Sequence, residues 1–302
     1  MKNTIERIKK LKQEKNAIIL AHSYQNIEVD EIADFVGDSL YLSQKAKETS
    51  ADIIIFAGVY FMAQTAKIIS PEKKVLLPNI NAGCLMADMI NHSQIIEFKK
   101  QYPNLPVVCY INSTAEVKSE CDICCTSSNA IEIVKSLKAP KVLFVPDANL
   151  GKYVETQLED VEVITYNGNC PVHHDVTIEN INTTRRLYPQ AKVLIHPECQ
   201  PQVSKLGDYV GSTSGIFEYV KNSSDNEFVI VTEKGVVDRL KRDYPNKKFY
   251  LISERMLCES MKLTTLDEIL FSLENETHEI TLNENIRNLA SGCIERMLKV
   301  SK

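Results

Sequence analysis

Three cysteines, Cys84, Cys170 and Cys258, stand 86 and 88 residues apart, too far for any local metal-ligand spacing to relate them. What relates them is that each closes one copy of a repeated unit. Thiols in equivalent places on three copies of one unit can converge on a common axis and share a metal. Three thiolates suit an iron–sulfur cluster, with one iron left open to act as a Lewis acid. A catalytic zinc with three protein ligands and a water fits the same donors. Any single buried cysteine is also a small hydrophobe, so the repeat carries this reading, not the residue type.

Other polar residues keep the same steps. His22 and Tyr24, Tyr110 and Asn112, and His196 and Glu198 form an H-x-Y, Y-x-N, H-x-E series at intervals of 88 and 86. A glutamate enclosed at such a place is expected to have a raised pKa and to act as a base, with a tyrosine relaying a proton. Ser39, Ser127 and Thr213 keep these intervals too, each ahead of a helical pattern. They read as N-caps, or as parts of an anion site built on helix N-termini. His173 and His174 follow Cys170 in GNCPVHHD, which reads as a Cys/His metal group or, the favoured reading, as His173 contacting a substrate while its neighbour faces water. Cys121, Cys124 and Cys125 in ECDICC have no partner pair at zinc-ribbon spacing, so they read as a lead-in to a helix beside the site. No G-x-G-x-x-G and no G-x-x-x-x-G-K-[ST] is present, which argues against dinucleotide and P-loop chemistry.

The elements that must position these groups repeat with a period of about 87 residues, and internal repeats fix architecture before local motifs do. Apolar runs recur at 19–22, 107–110 and 193–196, at 53–57, 142–145 and 228–231, and at 75–77, 161–164 and 249–252. They are short and rich in Val, Ile and Leu, as strands buried on both faces are. In the first copy the pattern predicts strand 17–21, helix 28–49, strand 53–57, helix 60–69 and strand 74–77. Alternating strands and helices imply parallel α/β units, and polar residues just after parallel strands lie where such folds bind ligands. The expected architecture is α/β: three αβα layers, over 1–84, 85–170 and 171–258, meeting carboxyl end to carboxyl end. The segment 259–302 departs from the repeat and reads as helices packing back on the body, one of them over 284–300.

Composition narrows the class. With 44% hydrophobic and 25% charged residues the chain is an ordinary globular protein, and its net charge of −5, without a basic run, argues against nucleic acid. No apolar stretch approaches the roughly 20 residues that cross a bilayer, and the charged N-terminus has no signal-peptide core. The expectation is a cytoplasmic protein without a membrane partner. Nine cysteines in that setting point to metal ligation or catalysis.

The motifs AHSYQ (21–25), GDSLYLSQKA (37–46), NAGCLMADM (81–89), YINSTAEVK (110–118), PDANLG (146–151), GNCPVHH (168–174), HPECQ (196–200), GSTSG (211–215) and CESMKLTTL (258–266) span nearly the whole chain. Together they resemble the quinolinate synthase family, iron–sulfur enzymes of de novo NAD biosynthesis. The resemblance implies three homologous αβα sandwich domains around a pseudo-threefold axis, with the active site at their central interface. It implies a 4Fe-4S cluster on Cys84, Cys170 and Cys258. It also implies condensation of iminoaspartate (iminosuccinate) with dihydroxyacetone phosphate to quinolinate, with a functional link to an enzyme that produces iminoaspartate. Carried over by motif, His22, Ser39, Tyr110, Ile111, Asn112, Ser127, His196, Pro197, Glu198 and Thr213 hold the small anionic substrates. Tyr24 and Glu198 move protons, with His173 assisting. A zinc-dependent hydrolase or lyase on the same cysteines, and a non-catalytic anion-binding module on the three helix N-termini, are the competing readings.

Overall fold

In the computed structural model residues 2–301 are described. Positions 1 and 302, which fall in the expected first repeat and C-terminal segment, lie outside them. The first copy runs α1 (Lys2–Glu14), β1 (Ala17–His22), β2 (Phe35–Gly37), α2 (Ser39–Glu48), β3 (Ile53–Ala57), α3 (Tyr60–Ile69) and β4 (Lys74–Leu76). The second runs α4 (His92–Gln101), β5 (Val107–Tyr110), α5 (Ala115–Ser119), β6 (Ile123–Cys125), α6 (Ala130–Ser136), β7 (Lys141–Val145), α7 (Ala148–Thr156) and β8 (Glu162–Thr165). The third runs α8 (Pro171–His174), α9 (Ile178–Leu187), β9 (Lys192–Ile195), α10 (Pro201–Ser204), β10 (Tyr209–Val210), α11 (Thr213–Asn222), β11 (Glu227–Val231), α12 (Lys234–Asp243) and β12 (Lys248–Leu251).

Each copy folds into a four-stranded parallel sheet with one strand order: β2-β1-β3-β4, β6-β5-β7-β8 and β10-β9-β11-β12. The central pairs keep equivalent registers, Ile19 beside Ile55, Val108 beside Phe144 and Leu194 beside Ile230. Helices cover both faces, so the inner strands are buried throughout: Ile19, Leu20, Val107, Val108, Leu194 and Ile195 are inaccessible to solvent. Burying each such side chain contributes about 1.5–3 kcal/mol, which is why these runs carry no alternation.

The expected helix over 28–49 is instead a short 3-10 turn (Ile27–Glu31), strand β2 and helix α2. Equivalent edge strands, β6 and β10, also escape the apolar pattern, because two or three residues are too few for a period to show. Their signal is an aspartate. Asp34, Asp122 and Asp208, again 88 and 86 apart, accept the N–H groups of Ile19, Val107 and Val193 at 2.7, 2.7 and 2.8 Å. Each fastens its edge strand to the neighbouring central strand. Cys124 and Cys125 consequently lie in β6, not in a helix lead-in.

The chain ends in α13 (Glu259–Lys262), α14 (Leu266–Asn275) and α15 (Glu284–Val300). α14 packs on α1 and β3 through Leu266, Ile269 and Leu273. α15 crosses α3, α5 and β6 with Ala290, Cys293, Ile294 and Met297 fully buried, and Cys293 Sγ lies 3.2 Å from Cys124 Sγ.

Candidate active site

The order β2-β1-β3-β4 puts a topological switch point between β1 and β3, where open parallel sheets hold ligands at their carboxyl ends. In all three sheets those ends face one cavity, the kind of concave site at which ligands bind. Its wall carries His22 and Tyr24 after β1, Tyr110 and Asn112 at the end of β5, and His196 and Glu198 after β9. Ser39, Ser127, Thr213 and His173 also line it. Ile111 and Pro197 do not; the Ile111 amide bonds to Cys125 O at 2.8 Å. Ser39 and Thr213 are not the capping side chains. Asp38 and Ser212 cap α2 and α11, accepting from Tyr41 N and Gly215 N, and Asn129 precedes α6. The hydroxyls of the first turn are thereby left to face the cavity.

Cys84, Cys170 and Cys258 share this wall. All nine cysteines are free thiols, but only these three are partly exposed; the other six are buried in the packed interior. Each of the three precedes a helical turn whose amides fold back on it: Asp88 N to Cys84 O at 3.1 Å, His174 N to Cys170 O at 2.8 Å and Met261 N to Cys258 O at 3.1 Å. Burial pushes the Cys84 thiol up to about 12, with Cys258 and Glu198 contributing to that rise. Burial likewise raises Cys170, with Glu198 and Cys84 adding to the effect, and raises Cys258. Three mutually opposed thiolates of this kind form only around a cation, which deprotonates its ligands as it binds. Partly exposed, one per repeat and on one cavity, the three thiols are a donor set suited to a soft metal centre.

A second donor set lies beside them: ligand atoms of Cys170, His173 and Glu198 fall within 4.8 Å of one another. It shares Cys170, whose Sγ lies 3.3 Å from His173 Nδ1, and its other two members are already engaged. Glu198 Oε1 accepts from the Tyr110 hydroxyl at 2.7 Å, and Oε2 lies 2.8 Å from His173 Nδ1. His173 Nε2 lies 2.9 Å from the Thr232 hydroxyl, which is 2.9 Å from the Tyr24 hydroxyl; Thr213 donates to that hydroxyl at 3.1 Å. One assignment satisfies every atom: Thr213 to Tyr24, Tyr24 to Thr232, Thr232 to His173 Nε2, and His173 Nδ1–H to Glu198. The result is a continuous chain of donors running from the cavity wall to a buried carboxylate.

Glu198 departs from expectation. Burial works against its charge, but the hydrogen bonds donated by the His173 Nδ1–H and the Tyr110 hydroxyl outweigh it and hold the carboxyl below its ordinary range. Asn149 from α7 fixes the backbone there, donating to Glu198 O at 2.9 Å. Glu198 is therefore an anchored anion that orients His173, not a carboxyl poised near neutrality. Burial raises the Tyr24 and Tyr110 phenols, and Glu198 adds to both, so both stand as protonated donors.

Burial pushes the His22 imidazole down to about 4 and His196 to about 3, so both are neutral at pH 7. His22 Nδ1 accepts the Tyr24 amide at 3.1 Å, which leaves the proton on Nε2. Asn112 Oδ1 is buried without a partner, as befits a group that completes its bonding with a ligand. At the mouth, Ser128 of the second repeat and Ser214 of the third donate to Asp38 Oδ2 of the first at 2.7 and 2.6 Å, joining the three repeats across the opening. Sequence reasoning missed Thr232, Asp38 and Asn149. Thr232 could have been found: it directly follows β11, in the position of Gly58 after β3 and Pro146 after β7, at steps of 88 and 86.

Comparison with known proteins gives a consistent result. The family model described as "NadA: Quinolinate synthetase A protein" matches residues 6–299. A quinolinate synthase of Alkaliphilus metalliredigens is 53% identical over 298 residues, covering 99% of this chain and 98% of that protein. Those of Methanosarcina barkeri and Clostridioides difficile are 49% and 46% identical, covering 98% and 100% of this chain and 97% and 99% of their own lengths. No helix among the described residues is long and apolar enough to cross a membrane.

Proposed function

From the premise that this chain belongs to the quinolinate synthase family, we propose that it condenses iminoaspartate with dihydroxyacetone phosphate, giving quinolinate, phosphate and water. The observation that carries the reading is the convergence of one partly exposed cysteine from each repeat on a single cavity. Cys84, Cys170 and Cys258 would hold a 4Fe-4S cluster, which when bound supplies a Lewis-acidic iron that can assist departure of hydroxide. The rest of the chemistry falls to the chain's own side chains.

Binding comes first. Both substrates are anions, and the wall offers neutral donors: the Nε2–H of His22, the hydroxyls of Ser39 and Ser127, and the Asn112 amide, while Thr213 lies beside them with its proton given to Tyr24. Neutral donors in a closed, poorly hydrated site bind carboxylate and phosphate without the cost of burying a cation. Holding both reactants in one small cavity turns their encounter into an effectively unimolecular step.

Proton transfer follows the hydrogen-bond chain. As the carbon of iminoaspartate becomes nucleophilic, Tyr24 takes its proton while passing its own through Thr232 to His173 Nε2. Glu198, held ionised, stabilises the resulting imidazolium through Nδ1–H. Reversing the shuttle returns a proton through Tyr24 to a departing hydroxyl, so one relay serves both condensation and dehydration. The reading sets the enzyme in the cytoplasm, next in sequence to an enzyme that produces iminoaspartate.

The test is direct. Protein purified without oxygen, given iminoaspartate and dihydroxyacetone phosphate, is expected to release quinolinate and phosphate in equal amounts. Cluster-loaded protein that releases neither would refute the reading.

A further inference from the structure

Arg239 on α12 is 2% exposed, and nothing in the proton shuttle uses it. A fully buried guanidinium is retained only where it is paired and hydrogen-bonded. Its partners lie in the first repeat, although α12 belongs to the third. Nη1 donates to Ser23 O at 2.7 Å and to Gln25 O at 3.0 Å, the carbonyls on either side of Tyr24. Nη2 pairs with Asp30, whose other oxygen takes Arg242 at 2.6 Å. The carbonyl between them, Tyr24 O, accepts from Lys262, which pairs in turn with Glu233 at 3.0 Å. Three consecutive carbonyls of one loop are thus held by two cations from elsewhere in the chain. The approach is close: a Cβ on Gly235, at the start of α12, would stand 2.9 Å from Ser23 O. The Tyr24 phenol likewise finds its partners, Thr232 and Thr213, in the third repeat.

We propose that Arg239 is a positioning residue that clamps the backbone on both sides of Tyr24, holding a first-repeat phenol in register with the third-repeat relay. The proposal rests on the reading of Tyr24 as the group that exchanges protons with substrate. Displacing such a group by about 1 Å can cost about 100-fold in rate, whereas substrate contacts elsewhere on the wall are unaffected.

The test is a double-mutant cycle on the cluster-loaded enzyme with amide exchange on the same proteins. Arg239→Met preserves length and leaves Asp30 its pair with Arg242. It should lower kcat about 10- to 100-fold with KM within about threefold, and Arg239→Met/Tyr24→Phe should be no slower than Tyr24→Phe alone. Exchange at residues 23–26 should accelerate selectively. Multiplicative losses, or wild-type kcat in Arg239→Met, would overturn the proposal. If Tyr24→Phe is itself fully active, the reading of Tyr24 fails instead. Exchange then decides the clamp, an unchanged 23–26 segment refuting it and a loosened one supporting it. Should Arg239→Met not fold, Arg239→Lys, which keeps the charge but cannot reach both carbonyls, enters the same cycle.

Discussion

Thr232→Val removes one hydroxyl of nearly unchanged volume from the middle of the relay. Thr232 is fully buried, and its oxygen stands 2.9 Å from both Tyr24 and His173. Tyr24 keeps Thr213 at 3.1 Å, so its loss is one neutral hydrogen bond, about 1 kcal/mol. His173 Nε2 keeps no other partner, and an unpaired buried polar atom costs about 1–3 kcal/mol. Together these lower stability by about 2–4 kcal/mol. For a chain of this length that corresponds to a fall in Tm of about 3–6 °C. The kinetic effect is larger, because the phenol loses its route to the imidazole. General acid–base catalysis is worth about 10²–10⁴, and a fall in kcat of about 100-fold with KM within about threefold is expected. Thr232→Ser keeps the hydroxyl and should recover most of the rate while still losing packing. Steady-state quinolinate formation and thermal melting, on samples matched for iron, read both effects. A Thr232→Val enzyme with wild-type kcat, or a serine variant as slow as the valine one, would refute the relay.

Two further outcomes follow from the electrostatics. His22 and His196 have folded pKa values of about 4 and 3, below the usual 6.5, so between pH 6.5 and 4 the unfolded chain binds up to two more protons than the folded one. Their contribution to stability is present above pH 6.5 and lost on acidification, with a slope approaching about 1.4 kcal/mol per pH unit for each. The urea midpoint of the cluster-free protein should fall between pH 7 and pH 5; equal midpoints would contradict the neutral assignment. Asp38→Ala removes the cap of α2 and the acceptor for Ser128 and Ser214. It should cost about 1–2 kcal/mol in urea unfolding, and a loss below about 0.5 kcal/mol would show that the mouth contact contributes little.

The continuously apolar central strands were readable because parallel strands covered on both faces show no competing pattern; β3 and α3 fall at their expected bounds. The polar series after the first strands was readable for a related reason, since a repeat preserves position as well as type. β2, β6 and β10 were not. Each is two or three residues long and declares itself only through Asp34, Asp122 or Asp208, whose partners lie 15 residues back. The capping positions were displaced by one because an N-cap aspartate and an adjacent serine carry the same local signal in GDS. Glu198 illustrates a different limit. Burial alone would have raised its pKa, and the opposing groups, Tyr110 and His173, come from other parts of the chain and meet it only in the fold. Thr232 stands at a legible repeat position, but its role acquires meaning only when the fold brings Tyr24 and His173 to its oxygen.

The central claim is that three thiols from three repeats hold one iron–sulfur cluster, and metal analysis tests it most directly. Protein purified without oxygen should carry about four iron and four acid-labile sulfide per chain, as a single 4Fe-4S cluster requires. Cys84→Ala, Cys170→Ala and Cys258→Ala should each lose most of both, while Cys125→Ser and Cys199→Ser, altered in the packed interior, should keep them. Zinc in place of iron and sulfide, or full iron in any of the three alanine variants, would contradict the account.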